Sequence, residues 1–133
     1  MIVKSHEIKN KDILKFRFFL VYGENEGLKK DVINKIINRN GFKEIKYEES
    51  QILNNKSEFY NEVNNRSLFD EKKTYLIERC SDKISEIILD FIDKDIEDQI
   101  IINCGILEKK SKLRNILEKS TKTIVIPTYK DNI

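Results

Sequence analysis

The sequence predicts a three-layer αβα domain built on a five-stranded parallel sheet. Three observations carry that expectation. Four short apolar runs rich in β-branched or aromatic residues recur along the chain, stripes of apolar residues at helical spacing fall between them, and the two kinds of segment alternate. Runs that are apolar throughout suit strands covered on both faces, as in a parallel sheet.

The first strand is expected at residues 16–22 (FRFFLVY), and the turn GENEGLKK follows it at once. Leu28, Val32, Ile33, Ile36 and Ile37 then share one face of a helix that stops at Asn40-Gly41, a good C-terminal signal. Residues 42–49 (FKEIKYEE) alternate only partly and are more polar, which predicts an edge strand. Phe59 and Val63, four apart, place a helix within 56–65. A third strand is expected at 74–80 (TYLIERC), then a stripe of Ile84, Ile87, Ile88, Phe91 and Ile92 with Ser81 or Asp82 as N-cap. Residues 99–104 (QIIINC) give the fourth strand, Leu113, Ile116 and Leu117 a shorter helix, and 123–127 (TIVIP) the fifth strand. This order predicts right-handed crossovers with helices on both faces of the sheet.

At 133 residues the chain is long enough for one domain with a substantial core. Its 25 basic and 23 acidic residues nearly cancel, so overall charge gives no strong pull toward nucleic acid or membrane. No apolar run approaches membrane-spanning length, and MIVKSHEIKNK lacks the apolar stretch of a signal peptide. Cys80 and Cys104 each end an apolar run without a CxxC or Cys/His cluster, which reads as two buried thiols of a reducing cytoplasm.

A strand, a glycine-bearing turn, lysines and a helix are the setting of a phosphate-binding P-loop. That motif requires G-x-x-x-x-G-K-[ST], because backbone amides cradle the phosphates, the lysine reaches the terminal ones and the hydroxyl holds magnesium. Here three residues separate Gly23 from Gly27, Leu28 follows Gly27, Lys29 is displaced and no hydroxyl comes next. Glu24 and Glu26 add negative charge where phosphates would sit. The placement is that of a P-loop but the chemistry is missing, and two glycines making a tight strand-to-helix turn is the simpler account.

No other catalytic constellation emerges. His6 has no companion, Glu78 and Asn103 stand at strand ends where P-loop enzymes keep a magnesium acid and a polar sensor, and DFIDKDIEDQ (90–99) reads as a solvated turn. Leu68 and Phe69 are out of place, lying in a polar connection among Arg66, Asp70, Glu71, Lys72 and Lys73. They are either anchors that tuck back onto the core or a paired apolar anchor for a partner's pocket.

These segments together resemble the N-terminal domain of the delta subunits of bacterial DNA polymerase III clamp loaders. FLVYGENEGL is similar to that family's strand and degenerate P-loop, SLFDEKKTYLIE to its clamp-binding element and third strand, and IIINCGILEKKSKLRN to its fourth strand and next helix. The closing IPTYKDN is similar to the family's exit from this domain. The resemblance implies an AAA+-like, P-loop NTPase-type fold over residues 1–133 that binds no ATP or other cofactor and has no activity of its own. It implies a bacterial cytoplasmic subunit of the DNA-directed DNA polymerase III holoenzyme, a nucleotidyltransferase, acting in DNA replication. Ser67, Leu68 and Phe69 would grip the sliding beta clamp, with the Leu68-Phe69 pair entering an apolar pocket and helping to open the ring for primed DNA. The gamma/tau and delta prime subunits would join mainly through lid and collar domains that this chain lacks, and the abrupt stop after PTYKDNI fits a fragment. An atypical P-loop hydrolase and a DNA-binding domain using KKSKLR (109–114) are the alternatives.

Overall fold

The computed structural model describes residues 1–10, 12–65 and 71–129. Five strands, β1 (Phe18–Tyr22), β2 (Lys43–Glu48), β3 (Lys73–Cys80), β4 (Gln99–Cys104) and β5 (Thr123–Pro127), form one parallel sheet in the order β2-β3-β4-β1-β5. The helices are α1 (Glu26–Asn40), α2 (Glu49–Asn54), α3 (Lys56–Asn64), α4 (Ser85–Ile92) and α5 (Lys112–Lys119).

Alternation along each strand divides the core in two. Phe18, Leu20 and Tyr22 of β1 face α2 to α5 together with Tyr75, Ile77, Ile100, Ile102 and Val125. Phe19 and Val21 face the opposite way with Leu76, Ile101, Ile124 and Ile126, against Val32, Ile33 and Ile36 of α1. Only the β1-to-β2 connection runs toward the β2 edge, and every later crossover runs back. Crossovers of one hand therefore put α1 alone on its face and the other helices on the second face, as observed.

The polar strand is at the edge, as its sequence predicts: Lys43, Glu44 and Lys46 of β2 are exposed. Such charges discourage a second chain from adding to the open ladder. The other edge, β5, is apolar and is covered by the chain's own beginning. Val3 N–H donates to the Val125 carbonyl at 2.8 Å, and Val125 N–H donates to the Met1 carbonyl at 2.8 Å. Residues Ser5–Asn10 and Ile13–Lys15 then make two 3₁₀ turns that bury Ile8 and Ile13 on the α1 face.

Several expected boundaries need correction in detail, for Phe42 stands before β2 and β3 opens one residue early at Lys73. Phe16 and Arg17 precede β1 rather than belonging to it. Glu49 leaves the predicted second strand to open α2, where Glu48 and Gln51 form a reciprocal capping box. Ile84 lies in a 3₁₀ turn before α4, capped by the Ser81 hydroxyl accepting from Lys83 N–H. Gly41 ends α1 at φ 65°, as the Asn40-Gly41 pair predicts.

Asp82, the first residue of that turn, ties it to the start of α5. Its carboxylate accepts from the Ser111 hydroxyl at 2.5 Å and from the Leu113 and Lys112 amides at 3.2 and 3.3 Å. The Ser111 bond, helped by those amides and opposed by slight burial, holds the Asp82 carboxyl below its ordinary value of 3.8. A depressed carboxyl stabilises the fold above its unfolded pKa and loses that contribution as pH falls through the folded one. Asp82→Asn is therefore expected to remove about 1 kcal/mol at neutral pH, the scale of a capping contact, and to narrow the gap from wild type below about pH 3.8. Urea unfolding at a series of pH values measures both, and a gap that stays constant into acid would overturn the assignment.

Candidate functional site

The site to examine is the carboxyl edge of the sheet, where ligands of parallel α/β folds lie. The turn after β1 stands there, and Gly23 is its tightest point. Gly23 adopts φ 133°, and a Cβ at this position would stand 2.0 Å from the Thr128 carbonyl oxygen. A P-loop glycine lets a phosphate approach the backbone; at Gly23 the close neighbour is the chain's own segment leaving β5. Thr128 is held down in turn, its N–H and its hydroxyl both donating to the Tyr22 carbonyl at 2.7 and 2.9 Å. Gly27 is different: it lies in α1 and only Asn25 Oδ1, at 3.9 Å, would be near a Cβ. The turn thus demands glycine at one of its two positions.

Four amides of this turn are used inside the fold. Gly23 N–H donates to the Gly105 carbonyl at 3.0 Å and Asn25 N–H to the Thr128 carbonyl at 3.3 Å. Leu28 N–H donates to Asn25 Oδ1 at 3.1 Å, making Asn25 the N-cap, and Lys29 N–H to the Asn25 carbonyl at 3.0 Å. The Lys29 side chain does not reach outward. It is 3% exposed, and its ammonium donates to the Cys104 carbonyl at 2.8 Å and pairs with Glu26 at 2.8 Å. It ties the first turn of α1 to the end of β4.

Glu78 and Asn103 are brought together because β3 and β4 are neighbours. Asn103 Nδ2 donates to Glu78 Oε2 at 2.7 Å, while Asn103 Oδ1 is buried without a partner among the described residues. Both line a cavity of about 320 Å³ whose walls carry three cations, Lys29, Lys30 and Lys46, and three acids, Glu26, Glu44 and Glu78. Interleaved charges of equal number do not focus a field on a polyphosphate.

The end of β3 is irregular. Its register with β4 shifts between Ile77 and Cys80, and Arg79 takes φ 54° with its side chain turned to solvent. The irregularity accompanies a firm tie to α2: Ser81 donates its N–H and hydroxyl to the buried Glu49 carboxylate at 2.6 and 2.9 Å. Cys80 and Cys104 face each other across the strands, both buried and unbridged. Burial, then the contact with Cys104, pushes the Cys80 thiol up, which suits an inert core group rather than a nucleophile.

The other candidate residues are placed apart from this turn or bonded within the fold. Arg114 of KKSKLR is turned inward, over the Tyr22 ring at 5.1 Å and bonded to the Leu107 carbonyl and Glu118. His6 is exposed in the first 3₁₀ turn. The segment 90–99 is not simply a solvated turn: Asp90 belongs to α4 and accepts from Tyr60, and Asp98 is buried and accepts from the Lys73 amide. No group of three or more His, Cys, Asp or Glu suited to a metal occurs among the described residues, and no helix among them is long and apolar enough to cross a membrane.

Ser67, Leu68 and Phe69 lie outside the described residues. What is described is how the ends of their segment are held. Phe59 and Val63 bury α3 in the core before it, and Asp98 fixes the first residue of β3 after it. The Asn25 cap, the Thr128 closure and the Lys29 tie were missed in the sequence. Only Asn25, standing before a helical stripe, left a local signal there. No family model and no curated protein matches this chain.

Proposed function

We propose that this chain is an AAA+-like scaffold without a working nucleotide site, of the delta-subunit kind, which grips a sliding clamp through Ser67, Leu68 and Phe69. The observation that carries the first half is the closure of Thr128 onto Gly23. Thr128 stands against Gly23 where a phosphate would have to approach, and the Gly23 and Asn25 amides are bonded to carbonyls of the chain itself. The balance of three lysines against three acids around this cavity supports the same reading, as does the absence of a Lys-Ser/Thr pair after Gly27. No cofactor and no catalysis belong to this reading.

The second half rests on the resemblance of SLFDEKKTYLIE to a clamp-binding element and on the apolar pair within it. The clamp is the direct partner. Gamma/tau and delta prime subunits would attach through other domains, and primed DNA would be met indirectly. A paired apolar anchor acts by unequal affinity: if it binds an opened ring more tightly than a closed one, it shifts the clamp toward opening.

The test is capture of the sliding clamp from the same cell, followed by titration. The wild-type chain is expected to bind. Changing Leu68 and Phe69 together to Ala should weaken binding by at least ~2 kcal/mol, the scale of interface hot spots, while stability stays within about 0.5 kcal/mol as for surface sites. A double variant that folds normally and binds with full affinity would sink the site, and a wild-type chain that captures no clamp would sink the function. Calorimetry with magnesium and ATP checks the scaffold reading separately. A binding heat that vanishes on changing Lys29 or Lys30 would overturn it.

A further inference from the structure

At the opposite end of the sheet, below the amino ends of β1 and β5, lies a cavity of about 440 Å³ unrelated to the β1 turn. Its walls carry four cations, Lys15, Arg17, Lys94 and Lys122, and one acid, Asp95. In a chain whose charges nearly cancel, this is a concentrated positive region. The cations are positioned mostly by neutral groups, which leaves their charge uncompensated. Arg17 Nη1 donates to the Leu14 carbonyl at 2.7 Å, and Lys122 Nζ donates to the Ile92 carbonyl at 3.0 Å. Lys94 stands over the Tyr60 and Phe91 rings at 5.6 and 5.5 Å. Asp95 is fully exposed and meets Lys122 only at 3.9 Å, so it offsets little.

The same cavity has an apolar side formed by half-buried Phe16 and Ile96 and the buried Phe18. We propose that this groove docks an acidic linear peptide carrying one apolar or aromatic anchor. The anchor seats against Phe16 and Ile96 while flanking carboxylates meet Lys15, Lys94 and Lys122. Charge complementarity selects the partner and speeds its arrival, and the recess supplies the pocket that an anchor residue needs. Nucleic acid fits less well. Single strands need exposed aromatic platforms for their bases, whereas the Phe16 and Phe18 rings are recessed, and the cations ring a concavity instead of tracking a backbone. This inference is independent of the clamp reading.

The experiment uses fluorescence anisotropy with the whole chain and three labelled probes of equal length. They are a glutamate-rich peptide with a central phenylalanine, its lysine-rich counterpart, and an oligothymidylate. The acidic peptide is expected to bind best, to weaken with added salt, and to lose roughly tenfold or more in affinity when Lys15 and Lys94 are both changed to Glu. Removing the peptide's phenylalanine should weaken it further, and Asp95→Asn should tighten it. Circular dichroism checks folding, and the milder Lys15→Ala, Lys94→Ala pair replaces the reversal if that variant fails to fold. Binding no better than that of the lysine peptide, binding unchanged by the lysine substitutions, or equal or tighter binding of the oligothymidylate would each overturn the proposal.

Discussion

Gly23→Ala is expected to lower stability by more than ~3 kcal/mol or to prevent folding, by strain and overlap acting together. The backbone at φ 133° is one that side-chain-bearing residues rarely adopt, and this alone carries a penalty of roughly 1–3 kcal/mol. The added methyl would also stand 2.0 Å from the Thr128 carbonyl oxygen and 2.6 Å from its carbon, both backbone atoms that cannot rotate aside. Thr128 cannot simply withdraw, because two hydrogen bonds fasten it to the Tyr22 carbonyl and its own carbonyl receives the Asn25 amide. Gly27→Ala is the matched control. Its Cβ would enter open helical surface, so the change is expected to be neutral or to stabilise by up to about 1 kcal/mol. Urea unfolding of the two variants side by side makes the comparison. A Gly23→Ala protein as stable as wild type would remove the argument that the β1 turn is closed by the chain itself.

That closure also marks what could and could not be read from sequence. The strands were legible because β1, β3, β4 and β5 are buried on both faces, so residues such as Phe18 and Phe19 are both apolar although they point into different halves of the core. The edge position of β2 was legible because Lys43, Glu44 and Lys46 have no place inside a sheet. The pairing of residues 1–3 with β5 was not, since so short a segment has no periodicity to declare its partner. The short helix α2 was hidden for a similar reason: its Glu48-x-x-Gln51 box overlaps the end of the preceding strand.

For the candidate site the division is sharper. The faults in GENEGLKK, and the strand-end positions of Glu78 and Asn103, follow from spacing alone. What packs against the turn does not, because Thr128 reaches Gly23 from the far end of the chain and Lys29 finds Cys104 across the sheet. Long-range closure of this kind is set by strand order, which local pattern does not encode. Leu68 and Phe69 were singled out by their polar surroundings, since Arg66, Asp70, Glu71, Lys72 and Lys73 flank them.

Phe59→Ala is expected to remove 3–5 kcal/mol, the range for truncating a large buried aromatic. Phe59 is the hub of the ring cluster beneath α3, with Tyr47, Tyr75 and Phe91 at 5.3, 5.7 and 5.7 Å and each ring nearly perpendicular to it. Edge-to-face pairs contribute roughly 0.5–1.5 kcal/mol beyond area burial, though three pairs sharing one ring do not simply add. The loss would not be local. Tyr47 lies at the polar edge strand, Tyr75 in β3 and Phe91 in α4, so the ring of Phe59 joins α3 to three separate elements. Phe59→Leu keeps the volume more nearly and should lose less than about 1.5 kcal/mol, while Ser57→Ala on the exposed face of α3 should stay within about 0.5 kcal/mol. Urea midpoints at an unchanged slope are the readout. The contrast also guards the interpretation of residues 66–70, into which α3 leads. On the proposed reading, clamp binding lost with Phe59→Ala should return in proportion to the folded fraction, whereas binding lost with the Leu68 and Phe69 pair should not. A Phe59→Ala protein that loses less than about 1 kcal/mol would mean that α3 is held to the sheet by something other than this cluster.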